Sequence, residues 1–406
     1  MGEKIIDGGQ RRPFGCPSTW STLKCLGQTV ILVSCVFNYV MTPHFECVLE
    51  GGYGTTMAVN PMAWVYSRSV SVACFMAYAV MSVKYRGGVA EYRARIALHD
   101  AYSPTTDAER RAFATFNAAV ASACALLILP VNGMRLFRFV EDRRPIEVIV
   151  YFGLIYSQNA LTCLMETRFV LLCYVLYTKF VRINRDMETI GDQLAADRGC
   201  PSVRRSRLVA APVRRRHANR RGHYWVRDDG DMYRLRATGQ RLVDAIERLK
   251  IRHRLMREAV DELQYVFAVP VGFSLCNLCV MGLFDIYYQL LNMYIQQRSN
   301  RSSAYIYLWL MQYMLRFFII VITVHAATNQ ALRSKYLITH VSRNCLDVST
   351  KEELQIFSNQ ISSTTMEFTI CDLFTLNTKL FASAMAASIT YLIILLQMKT
   401  EANDIY

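Results

Sequence analysis

Seven times along this chain an apolar run reaches the length of about 20 residues that a helix needs to cross the hydrocarbon core of a bilayer. The runs are Thr22 to Met41, Met62 to Val83, Phe113 to Val131, Val148 to Tyr177, Val266 to Tyr288, Tyr305 to His325 and Leu376 to Met398. Lipid offers no water to satisfy backbone N–H and C=O groups, so each run has to close its own hydrogen bonds as a helix. The expected fold class is all-α: a polytopic membrane protein with seven transmembrane helices. Composition agrees, with 53% of the 406 residues hydrophobic and 19% charged.

The connections between runs set the orientation. Lys4, Arg11 and Arg12 precede the first run; Lys84, Arg86, Arg93, Arg95, Arg110 and Arg111 follow the second; Arg333, Lys335, Arg343 and Lys351 follow the sixth. The largest basic excess lies between Lys179 and Arg257, after the fourth. Loops on the opposite side carry few Lys or Arg, and the first carries none. Basic residues stay in the cytoplasm, which predicts a cytoplasmic N-terminus and, after seven spans, an extracellular C-terminus. That is opposite to a G-protein-coupled receptor. The Asn300-Arg301-Ser302 sequon falls in a predicted outer loop, and Asn60-Pro61 is not continued as NPxxY.

The predicted organisation is a cytoplasmic tail over 1–21, helices 1–4 over 22–177, a basic loop with a helical anchor over 178–265, and helices 5–7 over 266–398. The N-terminus has neither the apolar core of a signal peptide nor a Ser or Thr four residues after Gly2, where Ile6 stands. The net charge of +14 is concentrated in the fourth loop, including Arg204 to Arg207 and Arg214 to Arg216. Retention on the cytoplasmic face, with contact to anionic lipid, accounts for that loop without nucleic acid. Leu242, Ile246, Leu249 and Leu255 recur with helical periodicity, so the fifth helix should begin well before Val266 and pack inside the cytoplasm. Of the 13 cysteines only Cys47 lies clearly on the oxidising side, so no extracellular staple is implied. The Cys276/Cys279 CxxC lies within an apolar run and reads as small packing residues. No phosphate-binding, HExxH, GxSxG or paired metal motif appears, which disfavours an enzyme, and no cofactor is called for.

The last run, LNTKLFASAMAASITYLIILLQM, begins with the small residues Ala382, Ser383, Ala384, Ala386, Ala387 and Ser388, which let helices approach closely in lipid. Thr390, Ile393, Ile394 and Gln397 recur at i, i+3, i+4 and i+7 on one face. A Gln facing hydrocarbon is costly, so this face should meet protein or water. Thr390-Tyr391, five apolar residues, then Gln397-Met398 resembles the TYhhhhhQF signature of insect gustatory receptors, with Met398 where that family usually has Phe. The lead-in Phe368 to Phe381 is also similar to that family. The resemblance implies a homotetrameric or heterotetrameric ligand-gated channel for cations in the plasma membrane of chemosensory neurons. It implies that Gln397 and Met398 form a constriction and that Tyr391 and Thr390 support it from deeper on the same helix.

Predicted outward-facing helix ends are rich in aromatic and polar groups: Trp64, Tyr66 and Arg68; Asn132; Tyr156, Gln158 and Asn159; Asp285 and Tyr288; Tyr307, Trp309, Gln312 and Tyr313. Such a set suits a small, partly polar organic tastant such as a sugar or a bitter plant compound. The alternative for each Tyr or Trp is an interfacial anchor. Arg68, Glu166, Arg168 and Arg316 are ionisable groups inside spans that must pair or face water; Glu166 and Arg168, two residues apart, lie on different helix faces. A secondary transporter of a small solute is the competing class, although no repeated halves are evident.

Overall fold

A computed structural model describes residues 19–50, 61–141, 143–197, 239–295, 303–344, 348–363, 366–370 and 373–404. The basic clusters Arg204 to Arg207 and Arg214 to Arg216 and the Asn300 sequon lie outside the described residues. Eight helices and one small hairpin are described: α1 (Thr19–Glu50), α2 (Pro61–Tyr102), α3 (Asp107–Glu141), α4 (Ile146–Asp197), α5 (Gly239–Ile295), α6 (Ser303–Asn344), α7 (Val348–Ser362), β1 (Thr369–Ile370), β2 (Phe374–Thr375) and α8 (Thr378–Asp404). Six of the seven apolar runs fall wholly within helices and the seventh does so from Thr378 onward, and among the described residues six helices are apolar enough along 18 residues to cross a membrane. The second run lies within α2, a continuous helix of 42 residues whose apolar stretch is diluted by Ser67, Arg68, Ser69 and Ser71.

Several helices far exceed a bilayer. The 57 residues of α5 rise roughly 85 Å at 1.5 Å each, against about 30 Å of hydrocarbon. The expectation that this helix starts early is met: it begins at Gly239, and Leu242, Ile246, Leu249 and Leu255 are all buried. These residues share a core with Met187 and Ile183 of α4, Ile338 and Val341 of α6, and Leu354 and Phe357 of α7. His253 lies between the rings of Phe180 and Phe357, 5.7 Å from each. At this end of the bundle Arg252 Nη1 donates to Asp186 Oδ2 at 2.7 Å, and Lys179 pairs with Asp100. Burial pushes the His99 imidazole down to about 4 and raises the Asp186 carboxyl to about 6.

Local sequence chemistry sets the joints. Thr106 and Glu109 form a reciprocal capping box at the start of α3, each bond 3.2 Å, and Arg182 of α4 ties Glu109 down at 3.1 Å. Gly88 lets α2 approach α5 closely, since a Cβ there would overlap the Val266 side chain. After α7 the chain turns through the antiparallel β1–β2 hairpin, Thr369 opposite Thr375, anchored by Gln264 Nε2 donating to Thr369 Oγ1 at 2.5 Å. Asn377 then caps α8, its Oδ1 accepting from the Leu380 N–H at 3.0 Å.

Candidate ligand site and pore helix

The bundle half opposite α7 holds most of the residues expected to bind a ligand. Trp309, Gln312 and Tyr313 occupy one face of α6 near its start, as i, i+3 and i+4 spacing requires, and all three are buried. Trp309 meets Tyr156 of α4 edge-on at 5.9 Å and Tyr313 edge-on at 5.8 Å. Phe152 continues the aromatic wall at 6.2 Å from Tyr156. Within this apolar surround Gln312 is 1% exposed, and neither its Nε2 nor its Oε1 has a hydrogen-bond partner. Asn132, near the end of α3, and Asp285 of α5 are also buried.

One turn further along α6 the chemistry changes. Arg316 Nε and Nη2 donate to the two oxygens of Glu166 at 2.8 Å each, and Arg316 Nη1 donates to Asn159 Oδ1 at 2.9 Å. Ser274 of α5 donates to the same Glu166. The expected need of Glu166 and Arg316 for a partner is therefore met by one buried, bidentate pair joining α4 and α6. Arg168 is not part of it; its guanidinium lies over the Tyr85 ring at 5.6 Å.

Other candidates have different surroundings. Gln158 points to α1 and α2, accepting from Ser71 Oγ at 3.1 Å and donating to Ser34 Oγ at 3.4 Å. Asn159, the next residue, is committed to Arg316, so these two neighbours on α4 face different helices. Arg68 lies over the Tyr39 ring at 4.7 Å. Tyr307 is 53% exposed, outside the buried cluster. The side chains of Trp64, Tyr66, Tyr288 and Met398 lie outside the described residues.

Helix α8 stands apart. None of its apolar window is buried within the chain, and Thr390, Tyr391, Ile393, Ile394 and Gln397 are all exposed. Its early turns nonetheless meet the bundle, where Phe381 packs against Phe317 at 5.4 Å and Phe318 at 5.9 Å. A small apolar cleft lies between α5, α6 and α8; Tyr313 lines it together with Phe381, Ala384 and Ser388 of α8. Tyr313 thus touches both the aromatic cluster and the space behind α8. Among the described residues no group of His, Cys, Asp and Glu could hold a metal ion.

Sequence reasoning missed two features. Asn38, in the first apolar run, is fully buried on α1 with neither amide atom hydrogen-bonded; a lone Asn in that run was the available signal. The thiols of Cys124 on α3 and Cys163 on α4 meet at 2.8 Å, and nothing in their spacing announces it.

The fold is similar to that of the insect olfactory receptor OR5 from Machilis hrabei, with a TM-score of 0.58 at 12% identity over 95% of this chain and 93% of that one. The same receptor in complex with eugenol gives 0.60 at 11% identity, over 93% and 90%. A curated relative, the Drosophila melanogaster gustatory receptor for sugar taste 43a, is 25% identical over 150 residues, which is 36% of this chain and 34% of that protein. This chain therefore matches about a third of the length of that relative. The profile of the 7tm chemosensory receptors matches residues 69–401, most of the chain and every helix from α2 to α8 in whole or part. With seven apolar runs in long helices and a terminal motif of the gustatory type, the chain belongs to the 7tm chemosensory receptor family.

Proposed function

We propose that this chain is a taste receptor subunit that assembles as a tetramer, four α8 helices surrounding a cation pathway opened by a small organic tastant. The observation that carries this reading is α8 itself: an apolar helix with none of its 20-residue apolar window buried in its own chain, bearing Thr390, Ile393, Ile394 and Gln397 on one face. Lipid could cover the apolar flanks, but a Gln amide needs a polar partner, and copies around an axis supply water and protein together. In this arrangement the N-terminus and the α7 end face the cytoplasm, and the aromatic cluster opens toward the outside.

The tastant would enter among Tyr156, Trp309 and Tyr313, with Gln312 as the fixed polar contact. Sugar taste is the named role of the gustatory relative, and the olfactory structure includes eugenol, so ligands of this size and mixed polarity are in keeping with both. Tyr313 provides the physical route from ligand to pore, since it borders the cleft against α8.

The test is electrical. Cells expressing this chain alone, screened with sugars and bitter compounds, should give tastant-dependent cation current, and Gln397→Ala should alter ionic selectivity or unliganded current. Unchanged selectivity and leak would remove Gln397 from the pathway. A gradient-coupled flux without channel current would instead identify a transporter.

A further inference from the structure

The two thiols between α3 and α4 are a site that taste reception does not require. Cys124 and Cys163 are both free, and their sulfurs are 2.8 Å apart. A disulfide needs about 2.05 Å, so closure asks for less than about 1 Å of movement, within reach of side-chain rotation. Both residues fall in the middle of apolar runs, in hydrocarbon that charged glutathione does not enter. Cys163 is 4% exposed, whereas Cys124 is partly exposed on a helix whose neighbours Leu126 and Leu129 are about two-thirds exposed, at 71% and 67%. Cys124 is therefore the thiol open to the lipid side, and Cys163 is placed behind it.

We propose that Cys124 and Cys163 form an intramembrane disulfide when an apolar organic hydroperoxide, the kind of molecule produced by lipid peroxidation, reaches Cys124. The Cys124 sulfur attacks the peroxide, the O–O bond breaks, and the alcohol departs while Cys124 becomes a sulfenic acid. The Cys163 sulfur then displaces the hydroxyl, forming the S–S bond and releasing water. Two thiols lose two electrons and two protons in all; one hydroperoxide is reduced to one alcohol and one water. The new bond would join α3 to the turn of α4 just before Glu166, so it fastens a helix that its own chain covers only sparsely to the helix holding the Arg316 pair. The pair Cys35 and Cys74 offers an internal comparison: their side chains also meet, but at 1% and 0% exposure neither is open to lipid.

The full chain in lipid nanodiscs, treated with cumene hydroperoxide, alkylated and mapped by mass spectrometry, tests this. The expected result is loss of two alkylatable thiols and a linked peptide pair, two hydrogens lighter, joining Cys124 to Cys163. The link should reverse with a membrane-permeant reductant and be absent from Cys124→Ser and Cys163→Ser. Oxidised glutathione should not form it, and Cys35 and Cys74 should remain alkylatable after denaturation. Retention of both thiols, or sulfonic acid at Cys124 without a link, would overturn the proposal; equal linking by oxidised glutathione would overturn the apolar route.

Discussion

Arg316 and Gln312 stand one turn apart on the same face of α6, both almost wholly buried, yet their surroundings are opposite. Every nitrogen of the Arg316 guanidinium has an acceptor, and both Glu166 oxygens are used. Neither polar atom of the Gln312 amide has a hydrogen-bond partner. Burying a polar group is costly unless its hydrogen bonds are made, and lipid raises that cost. Helix α6 thus carries two kinds of polarity: a charge locked to fix helix positions, and an amide left able to pair with something else. Stability should depend steeply on the first and not at all favourably on the second.

The largest effect should come from breaking the locked charge. Arg316→Met leaves Glu166 buried with only Ser274 to pair with, and removal of one partner of a buried pair costs about 3–5 kcal/mol. Thermal unfolding of the detergent-solubilised chain should show this as a large drop in melting temperature and in folded yield. Adding Glu166→Met should recover much of the loss, because the unpaired charge is gone. A single mutant as stable as the parent would mean that the pair contributes nothing to holding α4 on α6.

A smaller effect is expected at Asn159, which supplies one of the three bonds to Arg316. Asn159→Ala should cost about 1–3 kcal/mol through the unsatisfied guanidinium nitrogen, less than Arg316→Met because the bidentate bonds to Glu166 survive. Measuring both on the same unfolding scale ranks them, and a larger loss at Asn159 would reverse the assignment of the lock to Glu166.

Asn159 also marks where sequence reading stopped. Periodicity and length gave the helices, including the long lead-in of α5, because run length in lipid and apolar spacing outside it are local properties. The rule that intramembrane charges need partners singled out Glu166 and Arg316, but their separation by 150 residues kept the pairing out of reach. Which way each residue faces was harder. Gln158 and Asn159 share an outlook in the sequence, yet one serves α1 and α2 and the other α6. Tyr307 and Trp309 are two positions apart and differ from 53% to 1% exposure. In a membrane bundle both lipid-facing and core-facing surfaces are apolar, so the contrast that orients a helix in water is missing. The exposed α8 was legible only through its Gln and its motif.

The smallest change, and the one of opposite sign, belongs to Gln312. Gln312→Met keeps nearly the same volume and removes both unpaired atoms, so it should leave stability unchanged or raise it by about 1 kcal/mol. A tastant that hydrogen-bonds to this amide should lose potency at the same time, whereas Gln158→Met, which strips partners from Ser34 and Ser71, should lower stability instead. A receptor whose stability falls with Gln312→Met while its response is kept would show that the amide pairs structurally after all. One that becomes firmer and less responsive would show that α6 gives up stability at Gln312 for recognition, one turn from where Arg316 secures the helix.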